Sequence, residues 1–88
     1  MASYNIRFKN SVEKDFKKLP GSILSRVMDR VEGLATDPFP HGVSKLSGTE
    51  NLFRIRVGNY RIIYSVDRQI KSIFVHYVRH RREAYRDL

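Results

Sequence analysis

The sequence contains no cysteine. That absence excludes disulfides, thiolate metal sites and cysteine nucleophiles, and it favours a reducing compartment. The apolar runs are only a few residues long, so the sequence predicts neither a membrane span nor a secretory signal. We therefore expect a cytoplasmic protein with no membrane partner. Its 88 residues, 41% of them hydrophobic, are enough for one domain, residues 1–88, around one modest core.

The motifs of several enzyme classes are also missing. There is no Gly-rich phosphate loop, no recognisable Ser/His/Asp arrangement and no carboxylate cluster for a divalent metal. His76 and His80 have the spacing that binds metal on a helix, but they fall where a strand meets a helix, and no third ligand is near. The sequence therefore predicts no metal site and no cofactor.

Positive charge is concentrated in the second half of the chain. The net charge is +8. Residues 1–44 hold seven Lys/Arg and five Asp/Glu, a balance of +2, whereas residues 45–88 hold ten and four, a balance of +6. A basic half of this kind indicates a polyanionic partner, either nucleic acid or an acidic protein.

A β-hairpin is predicted at the centre of that basic half. Residues 52–57 and 60–64 alternate in polarity, and they flank Gly58-Asn59, a dipeptide typical of two-residue turns. Apolar residues then pair across the strands on one face: Val57 with Tyr60, Ile55 with Ile62, and Phe53 with Tyr64.

The other face of this hairpin carries Arg54, Arg56 and Arg61, with Arg56 directly opposite Arg61. Like charges that face each other across two strands destabilise a sheet. Three guanidiniums on one face therefore indicate that an anion binds there.

The residues before the hairpin predict one strand and two helices. Residues 3–8 alternate as a strand, and the stretches 10–19 and 22–35 place apolar residues at helical spacing. Asn10 and Glu13 have the spacing of a capping box. The link between the two helices is so short that they must form an antiparallel helical hairpin.

After the hairpin, residues 70–78 read as a further strand, and because residues 73–78 are largely apolar on both faces it is predicted to be central. The length of the preceding loop is ambiguous, so either Val75 or His76 would flank Arg61. Residues 79–86 are compatible with a short helix. The expected fold is α+β in the order β-α-α-β-β-β-α, with a helical hairpin packed on a mainly antiparallel four-stranded sheet.

The remaining candidate residues suit a metal-independent reaction on phosphate. They are several arginines, a tyrosine near the end of the chain and a histidine. Guanidiniums clamp phosphoryl oxygens and stabilise charge in the transition state. RNA supplies its own nucleophile, the 2′-hydroxyl, which the protein must deprotonate and align. Arg61, Arg81 and Arg82 around Tyr85 would favour its phenolate, and His80 is an alternative base. Tyr85 is equally well explained as an aromatic that docks a terminal helix.

Three segments, in this order, resemble the RelE/ParE superfamily of type II toxins: Lys45-Leu46-x-Gly48, the stretch from Phe53 to Tyr64, and His80-Arg81-Arg82-x-x-Tyr85. The resemblance covers nearly the whole chain. It implies a RelE-type mRNA interferase that acts in the ribosomal A site and leaves a 2′,3′-cyclic phosphate and a 5′-hydroxyl. It also implies a co-expressed antitoxin that covers the basic face.

The resemblance also implies roles for individual residues. Arg61 matches the family's transition-state arginine, and Arg81 matches the arginine associated with the scissile phosphate and leaving group. Tyr85 matches a terminal tyrosine associated with base chemistry or base stacking. Basic residues at five positions are expected to hold RNA: Lys45, Arg54, Arg56, Arg79 and Arg82.

Two departures from the family pattern affect these roles. Arg79 stands where a glycine is common, and the spacing from Arg81 to Tyr85 is shorter than in some members. The proton transfer therefore remains open among His80, Arg81 and Tyr85.

Two other functions are compatible with the sequence. A ParE-like gyrase poison would share the fold and act by binding alone, but retention of Arg61, Arg81 and Tyr85 argues against it. A nucleic-acid-binding module without activity would fit the charge. It is weakened because few aromatic residues are expected on the basic face as a stacking platform.

Overall fold

The alternating sequences form a five-stranded sheet in the computed structural model, which describes residues 3–46, 48 and 51–82. Strand β1 (Asn5–Phe8) leads into helices α1 (Val12–Lys17) and α2 (Gly21–Leu34). Four further strands follow: β2 (Ser44–Lys45), β3 (Leu52–Val57), β4 (Tyr60–Asp67) and β5 (Ser72–His80). Both helices pack on one face of the sheet, so the expected α+β class is confirmed.

The order of strands across the sheet is β1-β5-β4-β3-β2. The pairs β2–β3, β3–β4 and β4–β5 are antiparallel, and β1 runs parallel to β5. The hairpin has the predicted register throughout, including Arg56 opposite Arg61. Gly58 has a φ of 59°, and Asn59 keeps a negative φ. This turn therefore needs glycine at its first central position only, as type II′ turns do.

Three expectations from the sequence need correction. The sheet has five strands and not four, because the two residues of β2 pair with Phe53 and Arg54. The last strand runs from Ser72 to His80, two residues beyond the predicted end. Arg79 lies opposite Arg61, where Val75 or His76 was expected, because the connecting turn spans residues 68–71 and the register shifts by one residue next to Ile63. Finally, α1 begins at Val12 behind Ser11, which makes no side-chain cap, so the capping box is not formed.

The core lies between the helices and one face of the sheet. Helix α2 contributes Val27, Val31 and Leu34, which are at most 1% exposed. The sheet contributes apolar residues from all three central strands: Ile55, Val57, Ile62, Tyr64, Val66, Ile73, Val75 and Val78. Burial and the nearby Asp37 carboxylate raise the pKa of Tyr64, whose hydroxyl donates to the Pro38 carbonyl at 2.8 Å. Among the described helices, none is long and apolar enough to cross a membrane.

Candidate functional site

Three arginines form a row across the sheet on the face away from the helices. Arg56 on β3 lies opposite Arg61 on β4, which lies opposite Arg79 on β5. Neighbouring strands are about 4.8 Å apart, so this arginine row brings three positive charges into a span of about 10 Å. The row is part of the basic face, by which we mean the sheet face that carries Arg54, Arg56, Arg61 and Arg79.

Arg61 is the buried member of the arginine row. Its residue is 9% exposed, and its Nη1 donates to the carbonyl of Tyr60 at 3.3 Å. Its buried Nε has no hydrogen-bond partner in the described part of the chain. A buried cation without a carboxylate is unusual, since burial penalises an uncompensated charge. Among the described residues no carboxylate pairs with the Arg61 guanidinium, so its charge is left for an anionic oxygen to compensate.

The contacts that hold Arg79 at its end of the arginine row include a ring and a carboxylate. Its guanidinium carbon lies 4.2 Å from the ring centroid of Tyr77, within the range of a cation–π interaction. Its Nε is 3.8 Å from the Asp15 Oδ1 atom on α1. The long side chain is thereby restrained beside Arg61.

Asp15 completes the edge of β5 where β1 ends. Strand β1 pairs with β5 only as far as Val75. Beyond that point the Asp15 Oδ2 atom accepts the backbone N–H of Val78 at 3.1 Å, and the residue is 7% exposed. Sequence reasoning missed this residue. The signal was present, because Asp15 lies three residues after the buried Val12 and therefore on the same side of α1.

Beyond the arginine row, the basic face is apolar and aromatic. Ile63 is fully buried on this face between Arg54 and Tyr77. The register between β4 and β5 shifts next to Ile63, which leaves His76 as an extra residue on β5. Its ring lies 4.9 Å from that of Phe74. Among the described residues, the rings of Phe74, His76 and Tyr77 therefore lie on this face.

His76 is a neutral hydrogen-bonding group on this face. Its Nε2 is 3.1 Å from the Ser65 hydroxyl. Burial is the main cause that lowers the pKa of His76, and the positive charge of Lys9 lowers it further. The imidazole is thus mostly uncharged at neutral pH and adds polarity without charge.

The structure does not bring His80 to the arginine row. His80 pairs with Tyr60 and therefore lies on the helix-bearing face, since adjacent residues of a strand point to opposite faces. Its ring centroid is 5.4 Å from that of Tyr60. Its Nδ1 accepts the backbone N–H of Arg82 at 3.3 Å. His80 thus supports the turn that follows β5.

Arg81 and Arg82 follow at the hairpin end of the sheet. The backbone N–H of Arg81 donates to the Asn59 carbonyl at 2.7 Å, which fixes the chain against the hairpin turn. Both arginine residues are exposed. Tyr85 and the expected terminal helix lie outside the described residues.

Lys45 is separate from the arginine row. It lies on the edge strand β2 opposite Phe53, whose ring packs with Tyr64 on the helix-bearing face. Arg54 instead lies on the basic face, where it pairs with Ile63. The structure therefore groups Arg54, Arg56, Arg61 and Arg79, with Arg81 near the hairpin turn.

No group of three or more potential metal ligands is found among the described residues.

Comparison with known proteins gives one consistent family. Residues 6–85 match the family model described as the ParE toxin of the type II toxin–antitoxin system parDE. The chain is 30% identical over 87 residues to the putative toxin RelE1 of Methanocaldococcus jannaschii, covering 96% of this chain and 97% of that protein. It is 31% identical over 84 residues to toxin RelG of Mycobacterium tuberculosis, covering 94% and 97%.

A solved structure supports the same grouping. The crystal structure of the archaeal RelE–RelB complex from Pyrococcus horikoshii OT3 contains a chain that is 32% identical to this one. The match covers 96% of this chain and 100% of that chain, with a TM-score of 0.81. The similarity in sequence and in fold extends over nearly the whole length of both chains.

Proposed function

Because the chain belongs to the RelE/ParE superfamily of type II toxin–antitoxin toxins, we propose that it is a ribosome-dependent endoribonuclease that cleaves mRNA in the A site. The observation that carries this proposal is the buried Arg61 guanidinium, which pairs with no carboxylate among the described residues and lies between two further arginines. An apolar residue would serve the sheet better at this position. The arrangement is explained if a phosphate is bound during the reaction.

The proposed reaction needs no metal, because RNA carries the nucleophile. The 2′-oxygen attacks the adjacent phosphorus and forms a new P–O bond, while the bond from phosphorus to the 5′-oxygen breaks. The products are a 2′,3′-cyclic phosphate and a 5′-hydroxyl. Arg61 binds the non-bridging oxygens, whose negative charge increases in the transition state. Its position is fixed beforehand by burial and by the Tyr60 carbonyl.

Two proton transfers accompany this displacement. The 2′-hydroxyl loses its proton to a base, and the departing 5′-oxygen gains one from an acid. We assign the base to Tyr85 and stabilisation of the leaving oxygen to Arg81, whose backbone is tied to the hairpin turn. His80 is given a positioning role instead, because it faces away from the arginine row and accepts the N–H of Arg82.

Basic residues around Arg61 hold the RNA backbone in this proposal. Arg56 and Arg79 flank it directly, and Arg54 lies one row further along β3. Arg82 contributes from the margin as an exposed cation, whereas Lys45, opposite Phe53, lies on the other side of the sheet and is left out of this group. Phosphate contacts of this kind fix the register of the strand without reading its sequence.

The partner we propose is a cognate antitoxin that covers the basic face. The Pyrococcus relative was solved as a RelE–RelB complex, so a pairing of this kind is known for a protein with the same fold. An antitoxin segment with carboxylates would neutralise the arginine row and exclude RNA. We place the toxin in the cytoplasm, where its ribosomal target resides.

The first prediction concerns Arg61 and cleavage. Arg61→Ala is expected to reduce cleavage of ribosome-bound mRNA by about 10²–10³-fold, because it removes the donor aimed at the developing charge. Primer extension on a reporter mRNA after brief induction measures this. Arg68→Ala, which removes an exposed arginine from the turn after β4, is the matched control and should keep full activity.

The same experiment separates this function from gyrase poisoning. A ParE-like toxin would cause DNA breaks in induced cells and leave the reporter mRNA intact. If Arg61→Ala folds normally and still cleaves at the wild-type rate, the assignment of Arg61 is wrong. If the wild-type protein gives DNA breaks and no A-site cuts, the endoribonuclease proposal is wrong.

A further inference from the structure

A groove lies between α2 and the outer edge of the sheet, beside the arginine row. It encloses 280 Å³ and is lined by Arg26, Asp29, Arg30, Arg56 and Val57. We call it the α2–β3 groove. Arg26 and Arg30 come from the middle of α2, and Arg56 comes from β3. It therefore joins the helix layer to the end of the arginine row.

The groove exists because β3 has a neighbour along only part of its outer edge. Strand β2 pairs with Phe53 and Arg54, and from Ile55 to Val57 no described strand lies outside β3. Helix α2 approaches this open edge closely. A Cβ placed on Gly58 would lie 3.9 Å from the Arg26 Nη1 atom. The Arg26 guanidinium thus lies over the hairpin turn.

The charges in the α2–β3 groove are not balanced by the protein. Three guanidiniums face a single carboxylate, and Asp29 forms no ion pair with any of them in the described part of the chain. Arg26 and Arg30 are four residues apart on α2, a spacing at which like charges destabilise a helix. Exposed arginines with a net excess of two charges therefore suit an anionic ligand.

Arg56 connects this groove to the arginine row. It is opposite Arg61 on the sheet, and it also lines the groove. Positive charge therefore continues without a break from Arg79 through Arg61 and Arg56 to Arg26 and Arg30. A ligand with regularly spaced negative charges matches this path better than one isolated anion does.

We propose that the α2–β3 groove binds phosphodiester groups of the same RNA strand that is cleaved at Arg61. The inference rests on the proposed function and adds a subsite to it. The strand crosses the open edge of β3 and its phosphates accept hydrogen bonds from Arg26 and Arg30. These two arginines are positioning residues, since they hold the strand at a distance from the reacting atoms.

The test measures how RNA binding depends on salt. The probe is a 12-nucleotide single-stranded RNA with 2′-O-methyl groups throughout, which cannot be cleaved. Each phosphate contact on a single strand contributes about 0.7 to the slope of log K against log salt. The slope is negative, and Arg26→Gln/Arg30→Gln should reduce its magnitude by about 1.4, whereas Arg61→Gln should reduce it by about 0.7.

A charge-matched control is available at the far end of the strands. Arg68→Gln/Lys71→Gln removes two positive charges from the exposed turn between β4 and β5 and should leave the slope unchanged. Arg26→Lys/Arg30→Lys should retain most of the slope, because it keeps the charges. Circular dichroism confirms that each variant is folded before binding is compared.

The outcomes distinguish this inference from the proposed function. If Arg61→Gln reduces the magnitude of the slope and Arg26→Gln/Arg30→Gln does not, the groove subsite is overturned and the proposed function stands. Binding of polyglutamate is measured on the same variants. If the double variant loses affinity for polyglutamate but keeps the RNA slope, the groove binds an acidic peptide and the RNA subsite is overturned. If neither variant changes the slope, or the wild type binds no RNA at low salt, the groove subsite is overturned. The proposed function is then decided separately, by the primer-extension experiment on ribosome-bound mRNA.

Discussion

Two adjacent rows of the same three strands differ completely in chemistry. Ile55, Ile62 and Val78 are paired across the sheet, face the helices and are at most 1% exposed. One residue away on each strand, Arg56, Arg61 and Arg79 form the row on the other face. The first row contributes the hydrophobic free energy of folding, whereas the second places like charges side by side.

One small sheet thus keeps stability and function on opposite faces. The helix-bearing face has every feature of a core, with apolar side chains and with the Tyr64 hydroxyl bonded to Pro38. The basic face carries a buried cation whose Nε has no partner among the described residues. A chain of this size has little excess stability. Retaining such a row therefore indicates a functional requirement.

The largest effect is expected where the two faces are linked, at Asp15. Asp15→Ala leaves the buried N–H of Val78 without an acceptor and removes the carboxylate near Arg79. Loss of the buried hydrogen bond should lower the free energy of unfolding by about 1–3 kcal/mol. Urea unfolding monitored by circular dichroism measures it.

Two further variants make the Asp15 experiment specific. Asp15→Asn can still accept the N–H of Val78, so it should recover most of the lost stability while it leaves Arg79 without the charge. Glu13→Ala, an exposed acid on the same helix, is the control and should change stability little. If Asp15→Ala and the wild type had the same free energy of unfolding, the hydrogen bond from Val78 to Asp15 would contribute nothing to stability.

The next prediction tests whether the arginine row opposes folding. Arg61→Met replaces a buried guanidinium by an apolar side chain on the same strand. The free energy of unfolding should stay the same or rise by about 1 kcal/mol, because the cost of burying the charge disappears. Urea unfolding checks this, with the exposed Arg56→Met as the matched variant.

A loss of stability in Arg61→Met would show that the basic face, like the helix-bearing face, stabilises the fold. If unfolding became easier by several kcal/mol, the Arg61 guanidinium would be holding the sheet together through its bond to Tyr60. The basic face would then be structural in the same sense as the core. The expected result is a variant that is at least as stable as wild type and inactive in mRNA cleavage.

The sequence could predict the hairpin because two local signals agreed. Alternation assigned each residue to a face, and Gly58-Asn59 set the register, so Arg54, Arg56 and Arg61 were placed together correctly. Strand β2 has only two residues and no periodicity, so it was missed. The turn over residues 68–71 is longer than the sequence indicated, and the extra residue at His76 shifts the register by one more position, so Arg61 pairs with Arg79.

Contacts between distant segments were beyond the reach of local patterns. Asp15 meets Val78 across 63 positions of the chain. Its burial depends on where β1 ends, which no periodicity specifies. His80 was grouped with the arginines because a helix was expected there, but β5 continues through it, and strand alternation turns it to the other face. Roles that depend on Tyr85 stay predictions.

The smallest expected effect concerns the neutral group on the basic face, His76. Its pKa in the folded protein is lowered from the usual value near 6.5, mainly by burial and further by Lys9. The unfolded chain therefore binds a proton more readily. This contribution to stability is fully present above the unfolded pKa and is lost as the pH falls through it to the folded pKa. The free energy of unfolding should decrease as the pH falls below about 6.5, and it should decrease less in His76→Gln, which keeps a polar group beside Ser65. Identical pH profiles for the two proteins would show that other groups control the change.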